Sequence, residues 1–84
     1  MNGVKAPKAT TIIVNAREKQ WSEKEIFFDQ VVKLAYDPVP SGPTIEITVT
    51  YRKGENGKAG TLKPGESVKI HEGMTFNVVV TDKS

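Results

Sequence analysis

The sequence predicts one small α+β domain in which a single helix packs on one face of a mixed β-sheet. Three observations carry this reading. One segment, beginning at Phe28, repeats its apolar residues at the helical period. Several others alternate apolar with polar residues or gather β-branched ones, as strands do. Strands stand before and after the helix in the chain, so the helix has to cover a sheet rather than pair with another helix. A chain of 84 residues encloses one hydrophobic core and not two.

Residues 1–9, with Gly3, Pro7 and mostly small or charged neighbours, bury nothing and read as a flexible lead-in to a domain over 10–84. Thr10 to Asn15 is rich in β-branched residues, with Ile12 and Val14 on one side and Thr11 and Ile13 on the other, which suits a strand. The pattern breaks at Asn15–Ala16–Arg17. It resumes from Glu18 to Ser22, so the two segments form a hairpin turned at Asn15, with Trp21 as the apolar anchor of the second strand. Phe28, Val31, Val32 and Ala35 then fall at i, i+3, i+4 and i+7 of a helix of about nine residues. Asp29 suits the positive end of its dipole, and Asp37 followed by Pro38 ends it.

A stiff loop with three prolines leads to the clearest strand, Thr44 to Arg52. Ile45, Ile47, Val49 and Tyr51 share its core face, while Glu46, Thr48, Thr50 and Arg52 face water. Lys53 to Gly60 reads as a solvent-exposed turn, Glu66 to Ile70 as a short fourth strand, and Met74 to Thr81 as a fifth with Phe76, Val78 and Val80 inward. The order is β-β-α-β-β-β, which is the β-grasp pattern. A right-handed crossover through the helix places the first strand beside the third or the fifth in parallel, with the terminal strand beside the first. The expected core is Ile12, Val14, Val31, Leu34, Ile47, Val49, Val68, Phe76 and Val78.

Composition excludes much chemistry. Without cysteine there is no disulfide, thiolate nucleophile or zinc-thiolate site, and with His71 as the only histidine there is no multi-histidine metal centre. Cofactors are expected to be none. The net charge of +2 comes from interspersed signs rather than a basic block, which speaks against nucleic acid. No apolar run approaches the roughly 20 residues of a membrane span, and the amino-terminal segment lacks the apolar stretch of a secretory signal, so the expected location is cytoplasmic. His71 beside Glu72 could in principle share a proton, but a histidine that opens a turn is expected to be solvent-exposed. The three glycines Gly54, Gly57 and Gly60 are not a phosphate loop, because no helix with Lys and Ser or Thr follows them. The chain is expected not to be an enzyme.

The strings IIVNAREKQWSEKEI, DQVVKLAY, TVTYRKG, GESVKIHEGMTFNV and TDKS, taken in order over Ile12 to Ser84, resemble the bacterial multi-ubiquitin domain family. The resemblance implies a ubiquitin-like β-grasp fold. It also implies a protein modifier joined by its carboxyl terminus, through an isopeptide bond, to targets or to other copies of itself. The partners so implied are an activating enzyme, a conjugating enzyme, a processing peptidase and the target proteins, in operons thought to act in defence against phage. On this reading the conjugating segment is Asp82, Lys83 and Ser84, expected to project beyond Val80, the last apolar residue. Eukaryotic ubiquitin ends in two glycines, whereas this chain has no glycine after Gly73. Ubiquitin also presents an apolar patch on its open sheet face, where this sequence places polar residues. A partner-binding surface is therefore assigned to Glu46, Arg52 and Lys69 through polar contacts. The alternative is a β-grasp interaction module that is never conjugated.

Overall fold

The structure is a computed structural model and describes residues 9–83. Seven strands and one α-helix follow in the order β1 (Thr10–Val14), β2 (Arg17–Trp21), β3 (Glu25–Phe27), α1 (Phe28–Ala35), β4 (Ile45–Arg52), β5 (Gly60–Leu62), β6 (Ser67–Lys69) and β7 (Thr75–Asp82). The main sheet runs β2-β1-β7-β4-β5, and β3 pairs with β6 in a separate two-stranded sheet. Of the placements the crossover argument allows, the structure has β1 parallel to the terminal strand β7, with Ile13 opposite Thr75 and Val14 opposite Phe76. The other neighbour of each, β2 beside β1 and β4 beside β7, is antiparallel.

The β1–β2 hairpin closes through Asn15 at φ 50° and Ala16 at φ 70°. Positive φ at both central residues is the geometry whose twist matches the flanking strands; Asn tolerates it readily and Ala less so. Asn15 has a second task. Its Oδ1 accepts from the Val78 N–H at 2.7 Å, and its Nδ2 donates to the Val78 carbonyl at 3.2 Å. The amide thus extends the parallel ladder by one step after the β1 backbone has turned away.

The core between helix and sheet contains Ile12, Val14, Val31, Val49, Phe76 and Val78, as expected, and also Ile26, Phe28, Val32, Leu62 and Met74. Leu34, Ile47 and Val68 are only half-buried and pack against its margin. Val68 lies in the small sheet, and Ile47 on a part of β4 that extends beyond the pairing with β5. Helix α1 spans eight residues and starts where Gln30 Oε1 accepts from the Phe27 N–H at 2.9 Å. That contact satisfies an amide at the helix entrance that would otherwise lack an intrahelical partner.

Four further expectations are corrected. The segment Glu25–Phe27 is a strand, which a three-residue run inside a charged stretch did not reveal. The segment expected as the fourth strand of a single sheet pairs instead with β3, while Gly60–Leu62 supplies the edge of the main sheet. The Lys53–Gly60 turn is not wholly exposed: it carries a short 3-10 turn, Glu55–Gly57, and Gly54 is buried against Lys58 and Met74. Finally, β7 does not end at Thr81 but stays paired through Asp82, and Val80 is half-buried. Of the expected lead-in, residues 1–8 lie outside the described residues.

Candidate functional site: the open sheet face and the end of β7

Helix α1 covers one face of the main sheet and leaves the other open. Strand alternation puts Glu46, Thr48, Thr50 and Arg52 of β4 on that open face beside Thr75, Asn77, Val79 and Thr81 of β7, with Ile13 of β1 beyond. The face is polar and threonine-rich. Val79, 47% exposed, is its one large apolar side chain that stands clearly in solvent. Glu46 and Arg52 are six positions apart, a span of about 20 Å along a strand, so the two residues mark opposite ends of the face.

At the Glu46 end, the start of β4 and the preceding Thr44 hold Asp82 and Lys83. The Lys83 N–H donates to the Thr44 carbonyl at 2.9 Å. Thr44 Oγ1 donates to Asp82 Oδ1 at 2.8 Å, and Lys83 Nζ lies 3.0 Å from Glu46 Oε2. Asp82 and Lys83 are therefore strapped to β4 rather than projecting from Val80 as the sequence suggested, because the apolar pattern ends before the backbone pairing does. Ser84 lies outside the described residues. With both partners of the ion pair more than half exposed, that contact adds little stability.

At the other end, Arg52 and Lys53 border a shallow depression of about 700 Å³ that crosses β7 and is closed on its far side by the Asn15–Ala16 turn. Thr50, Thr75 and Asn77 line its floor. Lys69 is not part of this face. It sits in β6 opposite Glu25 and borders a different depression, with Glu55 and Lys58. The structure thus brings Arg52 together with Lys53 and Asn77, leaves Glu46 with Lys83, and separates Lys69 from both. The sequence reading placed Lys53 at the start of an exposed loop and Asn15 in a hairpin turn, without bringing the two to one site. The Asn-Ala turn was visible as a turn, but nothing local indicates that it abuts residues more than 60 positions away.

His71 is exposed in the turn before β7, and its neighbour Glu72 accepts through Oε1 from the Thr11 N–H at 3.1 Å. The carboxylate therefore braces the start of β1. Among the described residues no cluster of three metal-ligating side chains occurs, and no helix is long and apolar enough to cross a membrane.

A mixed sheet with parallel first and last strands, gripping one helix on a single face, defines a ubiquitin-like β-grasp domain. The family model described as multiubiquitin matches residues 10–82, and the chain belongs to that family. No significant match is found among curated proteins or among solved structures.

Proposed function

We propose that this protein is a ubiquitin-like modifier whose segment Asp82, Lys83 and Ser84 is joined to target proteins, or to further copies of itself, by dedicated activating and conjugating enzymes, with a peptidase that processes or removes it. Membership in the multiubiquitin family is the observation that carries this reading. The modifier needs no catalytic side chain of its own, because its reactive group is a carboxylate that an enzyme activates before an amine attacks it. The resemblance points to a bacterial, cytoplasmic setting and to defence against phage.

The geometry at the end of β7 bears on how such an enzyme would work. Extending the last residues into an active site means opening the Lys83–Thr44 backbone bond and the Thr44–Asp82 contact. Two exposed hydrogen bonds of this kind are worth about 1–3 kcal/mol together, which an enzyme's binding energy readily offsets. The same strapping favours a second reading, an unconjugated interaction module that uses its open face.

Coexpression with the enzymes of its operon, followed by mass spectrometry of tryptic peptides, distinguishes the two. The expected result is a lysine or terminal amine acylated by this protein's carboxyl terminus, lost on deletion of 82–84. Adducts that survive that deletion, or no adduct in the presence of the cognate enzymes, would leave the module as the better account.

A further inference from the structure

Arg52, Lys53, Thr50 and Asn77 share one depression on the open face, and none of their side chains makes a hydrogen bond or ion pair with another described residue. No acidic residue lines it. The acids nearby lie outside its lining. Glu46 is paired with Lys83 at the far end of β4, and Glu55 borders the depression on the Lys69 side. Glu18, opposite Ile13 in the β1–β2 register, stands one strand beyond. Lys53, at φ 61° just past the end of β4, lines the same depression as Arg52. Two cations and two neutral hydrogen-bonding side chains therefore converge with their capacity unspent.

We propose that this depression is a docking groove for an acidic segment of a partner protein, with a carboxylate on the Arg52 guanidinium and a second on Lys53. Guanidinium matches carboxylate in a planar two-point contact, while Lys53 adds a point charge of the same sign, and Thr50 and Asn77 are placed to bond the segment's backbone. The charge is complementary to acid and repels basic segments, which gives selection as well as attraction. Nucleic acid fits less well: two cations neutralise few phosphates, and the aromatic rings nearby, Tyr51 and Phe76, pack on each other 6.3 Å apart instead of offering a stacking surface. This inference deepens the interaction surface assigned above, and it does not depend on conjugation.

The test uses the whole chain, labelled with nitrogen-15, and titrates an eight-residue peptide of alternating Glu and Ser, its Gln-for-Glu counterpart, and a single-stranded oligothymidylate. Saturable amide shifts centred on Thr50, Arg52, Lys53 and Asn77 are expected with the Glu peptide only. Raising the salt from about 50 to about 300 mM shortens the screening length and should weaken binding severalfold. Arg52→Glu should weaken it at least about tenfold by like-charge repulsion, with Arg52→Gln intermediate and Lys33→Glu, on the helix, without effect. Absence of saturable shifts would overturn the proposal. So would shifts spread evenly over Lys24, Lys33 and Lys69, equal response to the Gln peptide, or tighter binding of the oligonucleotide. Because the readout is binding to the isolated protein, failure here leaves the conjugation result untouched, and failure of conjugation leaves this result standing.

Discussion

Replacing Asn15 with Ala removes a side chain that bonds both backbone polar groups of one residue in β7, Val78. Its Oδ1 takes the Val78 N–H at 2.7 Å and its Nδ2 reaches the Val78 carbonyl at 3.2 Å, in a half-buried site under the hairpin turn. The Val78 side chain is buried and faces the core, so its backbone cannot rotate outward to find water without disturbing the packing. Leaving those two groups unsatisfied costs about 1–3 kcal/mol. Alanine at φ 50° adds about 1 kcal/mol of backbone strain that asparagine largely avoids. The sum, about 2–4 kcal/mol, compares with a total of about 4–13 kcal/mol for a domain of this length. Thermal unfolding followed by circular dichroism should show Tm lowered by on the order of 10–30 °C. Asn15→Gly separates the two contributions, because glycine accepts the positive φ and should recover about 1 kcal/mol of the loss. Asn15→Asp keeps the acceptor for the Val78 N–H but turns a second acceptor toward the carbonyl, so it should stay below the parent protein. An Asn15→Ala variant within about 0.5 kcal/mol of the parent would refute the argument that the amide replaces a missing strand pairing.

Three further outcomes can be measured alongside it. Val49, fully buried in β4, should lose about 1–3 kcal/mol on Val49→Ala in chemical denaturation, while Thr48→Ala on the open face should change stability little; the reverse order would invert the strand's facing. Ala16→Gly should stabilise the protein by about 0.5–1 kcal/mol, because φ 70° suits glycine, and a loss of stability would show that the turn geometry is wrong. Thr44→Val removes the hydroxyl that holds Asp82 and should speed amide exchange at Lys83 several-fold without moving Tm by more than a few degrees, whereas unchanged exchange would mean that the strap at the end of β7 does not depend on that contact.

Local patterning was enough to place the long elements. The alternation of Ile45 to Arg52, the helical spacing of Phe28 to Ala35 and the turn at Asn15 are each written within a few residues, because periods of 2 and 3.6 are properties of the chain itself. The parallel placement of the first and last strands also followed, since the handedness of the crossover leaves few alternatives. Tertiary structure alone decided the rest. The three-residue strands β3 and β5 are too short to show a period, and they exist because partners far along the chain, Ser67–Lys69 and Val49–Tyr51, offer a backbone edge. The pairing that holds Asp82 and Lys83 depends on where β4 begins, not on their own side chains, so an apolar pattern that stopped at Val80 could not foretell it. Of the surface assigned from sequence, Glu46 and Arg52 share a face because six is an even number of strand residues, while Lys69 was lost to a second sheet whose existence no local pattern signals. Alternation says which way a side chain points from its own strand; which strands lie next to one another, and so which side chains meet, is set by packing across the whole fold.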